Sequence, residues 1–166
     1  MFKSIKTKYV STVSGGLRKS IFYNMFHWTQ KLASSSKYVN FENVQDAVHS
    51  NQDIILINTM PSSEQSCLIK NTVHANDEEQ IINDMLFKLT VSDKPVFVYG
   101  KNDSDPRVDE KYNNLKKLGV ESVYIYKGGM FEWMLLQDIY GKEEFPTTSK
   151  LIDILSFRPV KIRIQL

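Results

Sequence analysis

The fold is decided by residues 94–107, which read KPVFVYGKNDSDPR. Pro95 precedes four apolar or aromatic residues, and a short run of this kind between polar residues is typical of a strand covered on both faces. A polar loop follows from Gly100 to Pro106. Beyond it, apolar residues at helical spacing predict a helix that Gly119 ends: Val108, Tyr112, Leu115 and Leu118. This order of strand, loop and helix is the unit of α/β proteins.

The same alternation of strand and helix continues on both sides of this stretch. Further strands are predicted at 54–57 and 120–125, with a brief extended segment at 68–73. Helices are predicted after Asn40, from Asp77, from Met130 to Tyr140, and from Thr148 or Ser149. The sequence therefore predicts the α/β class, with a central parallel sheet and helices on both of its faces.

Charge divides the chain into an arm and a body. None of the residues before Glu42 is acidic, although seven lysines and arginines precede it. Overall composition is that of a globular protein, with 42% hydrophobic and 24% charged residues. We therefore expect a basic, partly helical arm at 1–37, a folded domain at 38–157 and a C-terminal extension at 158–166. No apolar run approaches the roughly 18 residues of a membrane span.

Three interpretations of the arm remain open. Its lysines, serines and threonines are typical of an organellar transit sequence, which would make the compartment mitochondrial. The other expected compartment is the cytoplasm. Alternatively, Phe22, Phe26 and Trp28 belong to an apolar set at helical spacing that docks on a neighbouring protein. A lysine-rich arm is also attracted to the phosphates of nucleic acids or membrane surfaces. Nothing in the spacing selects between these partners.

Several stretches resemble, in the same order, the rhodanese-like domain family. They are the strand at 54–57 with the motif CLIKNTVH at 67–74, the strand and glycine KPVFVYG at 94–100, the residues LGV at 118–120, and the turn KGG at 127–129 before Trp133. The last of these resembles the family's closing signature, a Gly-Gly turn followed by a helix with tryptophan. The resemblance covers residues 38–140 and implies the family's α/β fold.

The resemblance also implies an active-site loop without its nucleophile. In the family a cysteine follows the central strand, and loop amides with the next helix N-terminus stabilise its thiolate and the persulfide it carries. Here that position holds Gly100, and Asp103 and Asp105 are expected to repel an anionic substrate. The related phosphatases place arginine six positions after the cysteine, where this chain has Pro106, with Arg107 one step later. The degenerate loop comprises Gly100, Lys101, Asn102, Asp103, Ser104, Asp105, Pro106 and Arg107.

These observations predict a structural or adaptor subunit of a larger protein assembly, with no catalytic residue, cofactor or metal. The alternative is a sulfurtransferase or other thiol-dependent enzyme that uses Cys67, the single cysteine. A half-buried structural role is the more ordinary one for such a residue. The acids between Asp103 and Glu110 lack the pattern of a calcium loop, so we expect a solvated, capping role for them.

Candidate docking residues lie in three places. Phe22, Phe26 and Trp28 belong to the arm. Trp133 belongs to the apolar helix at 130–140, which is either deeply buried or shared with a partner. Ile162 and Ile164 alternate with polar residues near the C-terminus, the pattern of a strand that can add to the sheet edge of another chain.

Overall fold

The structure, a computed structural model, describes residues 37–50, 53–87 and 94–161. Its strands are β1 (Tyr38–Val39), β2 (Ile55–Asn58), β3 (Val96–Tyr99) and β4 (Val123–Tyr126). Its α-helices are α1 (Phe41–His49), α2 (Ala75–Phe87), α3 (Pro106–Lys117) and α4 (Gly129–Tyr140), and Ser62–Glu64 and Ile154–Phe157 are 3₁₀ helices. No helix within these ranges is long and apolar enough to span a membrane.

The four strands form one parallel sheet in the spatial order β1-β4-β3-β2. Leu56 stands opposite Phe97, which stands opposite Tyr124, so the three longer strands are in register. Every residue of β3 is buried, as expected of a central parallel strand that helices cover on both faces. The prediction of the α/β class, with a parallel sheet and helices on both of its faces, is confirmed.

Each face of the sheet buries its own cluster of apolar side chains. Since successive strand residues point to opposite faces, Phe97 and Tyr99 belong to one cluster and Val96 and Val98 to the other. Helices α1 and α4 contribute to the first cluster, and α2 and α3 to the second. The helices that follow the neighbouring strands β3 and β4 thus lie on opposite faces. In open α/β sheets a crevice forms at such a point, outside the carboxyl ends of the strands.

Local signals fix the ends of two helices as the sequence predicts. The Asn40 side chain accepts from the backbone amide of Asn43 at 3.1 Å, and the Asn43 side chain accepts from the amide of Asn40 at 3.1 Å. This reciprocal pair satisfies two amides that the first turn of α1 leaves without helical partners. At the end of α3, Gly119 takes a φ of 97°, a conformation that favours glycine.

The prediction of a helix that starts at Thr148 or Ser149 is wrong. The amide of Thr148 donates to the carbonyl of Leu68 at 2.9 Å, and the hydroxyl of Ser149 donates to the carbonyl of Ser66 at 2.6 Å. These bonds to a distant segment replace the bonds that a helix would make within itself. Only a short 3₁₀ helix forms, at Ile154–Phe157.

Two other boundaries differ from the sequence pattern. α2 begins at Ala75, two residues before Asp77. The extended segment expected at 68–73 contains isolated bridges, from Thr72 to Leu56 and from Ile69 to Thr147, and no strand. The arm predicted at 1–37, apart from Lys37, and the tail at 162–166 lie outside the described residues.

Candidate functional site

The loop that follows β3 is fastened to the start of α4. The amide of Met130 donates to the carbonyl of Gly100 at 3.0 Å, and the amide of Phe131 donates to the carbonyl of Lys101 at 3.0 Å. A Cβ on Gly129 would lie 2.6 Å from the carbonyl oxygen of Gly100, and Gly129 has a φ of 59°. Glycine is therefore required for this close approach. The amides of Met130 and Phe131, at the N-terminus of α4, thus donate to backbone carbonyls of the loop.

The Asp105 carboxylate is turned into the loop. Its Oδ2 accepts from the amide of Lys101 at 3.1 Å, and its Oδ1 caps α3 by accepting from the amide of Arg107 at 3.2 Å. The Arg107 guanidinium donates to the two carboxylate oxygens through Nε and Nη2, both at 2.8 Å. The expected capping role is confirmed for Asp105, but the expected solvation is wrong because the residue is buried.

The Asp105 carboxylate is held in its ionised form. Burial acts to raise its pKa, but hydrogen bonds from the Arg107 side chain and from the amides of Lys101 and Arg107 act in the opposite direction. The net result is a pKa below the ordinary value for aspartate. The hydrogen bond to Asp105 also raises the pKa of Arg107. The loop thus contains an internal anion whose charge is compensated by a neighbouring cation.

The space beside Gly100 is already filled. A Cβ built at this position would lie 2.6 Å from Asp105 Oδ2, 2.6 Å from Val108 Cγ2 and 2.9 Å from Thr59 Oγ1. Separations of this kind are well inside van der Waals contact, so a side chain at 100 would force its neighbours to move. The carboxylate of Asp105 therefore occupies the direction in which a nucleophile at position 100 would extend.

The half-buried cations of the loop are also paired. Lys101 Nζ lies 3.1 Å from Glu64 Oε1, and Arg107 Nη2 lies 3.9 Å from Glu64 Oε2. Asp103 is exposed and accepts from the Ser104 hydroxyl at 3.0 Å. Of the two acids that the sequence predicts to repel anions, only Asp103 faces solvent. Sequence reasoning missed Glu64, because its contact with the loop depends on the fold.

Asn102 links the loop to the C-terminal part of the domain. The residue is buried, and its side-chain amide donates to the carbonyl of Phe157 at 2.7 Å. Its side-chain oxygen accepts from the amide of Ser104 at 3.0 Å. Beside this link lies a cleft of about 480 Å³, lined by Lys101 and by residues from Leu155 to Lys161. The hydrogen bond between Asn102 and Phe157 could not be predicted from the sequence, because the two residues lie far apart in the chain.

Cys67 lies in the core and away from solvent. Its exposed fraction is 0%, and its thiol donates to the carbonyl of Ser149 at 3.3 Å. It belongs to the apolar cluster beneath α1 and α4. The structural role expected for Cys67 fits this position, although burial is complete and not partial. Among the described residues, no three histidine, cysteine or acidic side chains are grouped to hold a metal ion.

Trp133 is a core residue, so its assignment as a docking residue is wrong. Its exposed fraction is 0%, its indole nitrogen donates to the carbonyl of Pro146 at 3.2 Å, and its ring packs edge-on against Phe145 at a centroid distance of 4.9 Å. The helix expected to be either buried or shared is buried along this side. The other candidate docking residues lie outside the described part of the chain: Phe22, Phe26, Trp28, Ile162 and Ile164.

The chain is similar to several proteins of known structure. Solved structures with similar folds include a protein from Lactobacillus plantarum, at 18% identity with a TM-score of 0.49 over 69% of this chain and 93% of that one. The rhodanese-like domain of the Alr3790 protein from Anabaena sp. is 18% identical, with a TM-score of 0.48 over 79% of this chain and 96% of that one. A protein from Bacillus halodurans is 16% identical, with a TM-score of 0.48 over 68% and 80%.

No curated protein matches the sequence. The profile of the Rhodanese-like domain family matches residues 40–136, from the cap of α1 into the middle of α4. This match spans more than half of the chain and includes the central strand β3, the loop after it and the Gly-Gly turn. The chain belongs to the rhodanese-like domain family.

Proposed function

We propose that this chain is a non-catalytic rhodanese-like domain that serves as a structural or adaptor subunit of a larger protein assembly. The observation that carries the proposal is the position of the Asp105 carboxylate, beside Gly100 and bonded to the amides of Lys101 and Arg107. An amide that already donates to an internal anion is not free to stabilise a second one. The loop thus holds a carboxylate of its own in place of a bound sulfur anion.

Sulfur transfer makes demands that this loop does not meet. A thiolate must attack the sulfane sulfur of a donor, form a sulfur–sulfur bond and keep the transferred atom as a persulfide while the rest of the donor leaves. Gly100 offers no attacking atom. Lys101, the cation next to it, is paired with Glu64, which weakens its attraction for an anionic donor.

The alternative enzyme would have to use Cys67. That thiol has no exposed surface and donates a hydrogen bond to a backbone carbonyl. Reaction with a donor would require part of the domain to open first, so the observed geometry gives this alternative no support. The further alternative, polyanion binding by the basic arm, concerns residues outside the described ranges.

A turnover assay tests the absence of catalysis. Full-length protein is incubated with thiosulfate and cyanide, and thiocyanate is measured for the wild type, for Cys67→Ser and for buffer alone. We expect the three rates to agree. Turnover by the wild type that disappears in Cys67→Ser would overturn the proposal and establish a thiol enzyme.

The assembly role needs a separate measurement. The tagged full-length chain is purified under native conditions from the cells that produce it, and its mass is measured by light scattering during size-exclusion chromatography. We expect a species of defined composition larger than the 19.2 kDa chain. Recovery of the monomer alone would contradict the adaptor role.

A further inference from the structure

The cleft between the degenerate loop and the C-terminal extension is a charged and apolar surface without an assigned role. Its walls are formed by Lys101 on one side and by Leu155, Ser156, Arg158, Pro159, Val160 and Lys161 on the other. The hydrogen bond from Asn102 to Phe157 fixes these two sides relative to each other. The cleft is therefore a feature of the folded domain, and its volume of about 480 Å³ can receive side chains of a partner.

The charges that line the cleft in the described part of the chain all have the same sign. Among the described lining residues, three are cations and none is acidic. Lys101 is paired with Glu64, but within the described residues Arg158 and Lys161 form no ion pair. A concave surface lined by one sign of charge concentrates groups of the opposite sign. The occupant that complements this cleft carries carboxylates.

The cleft also has apolar lining residues that are open to solvent. Leu155 is 56% exposed and Val160 is 91% exposed, with Pro159 between them in the sequence. Exposed apolar side chains that share a cleft with polar and charged residues can mark a protein interaction site. The occupant therefore brings apolar side chains as well as acidic ones.

Backbone amides are also open at the edge of the cleft. Arg158 has φ −59° and ψ 153°, and the amides of Val160 and Lys161 make no backbone hydrogen bond within the described chain. Open amides of this kind can donate to the backbone of a bound protein segment. A nucleic acid fits less well, because among the described residues no aromatic side chain lines the cleft for base stacking and only two lining cations lack an ion pair.

We infer that this cleft docks a segment of a partner protein in which acidic side chains stand next to apolar ones. The inference rests on the proposed adaptor function and gives the partner a chemistry. Arg158 and Lys161 bind the carboxylates, Leu155 and Val160 cover the apolar side chains, and the open amides at 160–161 donate to the backbone of the segment. The degenerate loop supports one wall of this surface through Lys101.

A peptide selection tests the inference. Random peptides displayed on phage are selected against the full-length chain, and every enriched peptide is measured again with the double variant Arg158→Glu/Lys161→Glu. The matched control is Lys142→Glu/Lys150→Glu, which makes the same change of charge at two exposed lysines that line a different groove of the domain. Far-UV circular dichroism checks that both variants fold.

We expect enriched peptides to combine acidic and apolar residues and to bind the cleft variant about tenfold more weakly than the wild type. The control variant should bind them as the wild type does, because exposed charges act locally and are screened by salt. No enrichment, equal loss in both variants, or basic consensus sequences would overturn the inference. Binding of a single-stranded DNA oligonucleotide by the wild type, with no binding by the cleft variant, would also overturn it. Failure here leaves the thiocyanate result intact, whereas cysteine-dependent turnover defeats the proposed function without altering the peptide result.

Discussion

Replacement of Asp105 by alanine should destabilise the domain far more than replacement of Asp103 by alanine. The substitution removes four hydrogen bonds that the carboxylate accepts from Lys101 and Arg107. Loss of the cap of α3 costs about 1 kcal/mol, and the part-buried amide of Lys101 left without a partner costs about 1–3 kcal/mol. The ion pair with the half-exposed Arg107 is screened by solvent and adds less than about 1 kcal/mol. We expect a total loss of about 2–4 kcal/mol.

Asp103→Ala is the matched control for this prediction. Asp103 lies in the same loop, is exposed, and bonds only to the Ser104 hydroxyl among the contacts of its side chain in the described chain. Its removal should change the free energy of unfolding by no more than about 0.5 kcal/mol. Both values come from urea unfolding at neutral pH, followed by far-UV circular dichroism. Equal losses in the two variants would refute the argument that the four hydrogen bonds of Asp105 stabilise the loop.

Three further predictions concern the same region. The lowered pKa of Asp105 means that its contribution to stability is present above the unfolded-state pKa of about 4 and is lost as pH falls through the folded-state pKa. The stability gap between wild type and Asp105→Asn in urea unfolding should therefore be smaller at about pH 3 than at about pH 6, with the decrease confined to the range below about pH 4; a gap that is the same at both pH values would contradict this. Gly100→Cys should lower the free energy of unfolding by about 1–3 kcal/mol through overpacking and should produce no thiocyanate. A stable and active Gly100→Cys protein would show that the space is open. Cys67 should react with a disulfide reagent in urea and not in the folded protein, and rapid labelling of the folded protein would show that the thiol is accessible.

Elements that depend on neighbours in sequence could be predicted from the sequence. The run at Val96–Tyr99 reads as a covered strand because its four residues are all apolar or aromatic, and the structure buries all four. Asn40 could be assigned as a cap because its partner Asn43 lies three residues later. The alternation of such elements was enough to predict a parallel sheet between two layers of helices.

Elements that depend on distant partners could not be predicted. Thr148 and Ser149 have the side chains of helix caps, but Leu68 and Ser66 supply carbonyls that hold them in another course. Trp133 stands on a helix that is apolar on several sides, so its sequence alone does not tell a core position from a docking position.

The candidate site shows the same limit within a single loop. Asp103 and Asp105 have equal weight in the sequence, yet one is exposed and the other is buried. The Pro that follows Asp105 gives a partial signal, because proline favours the first position of a helix and aspartate the cap before it. That the capping carboxylate also fills the space beside Gly100 follows only from the packing of α3 against β3.

The proposed function requires that Cys67, the single cysteine, accepts no sulfane atom while the protein is folded. Its most direct test is the intact mass of the folded full-length chain after incubation with thiosulfate, measured under conditions that preserve persulfides. We predict that the mass is unchanged. A gain of one sulfur atom on the wild type, absent from Cys67→Ser, would contradict the account.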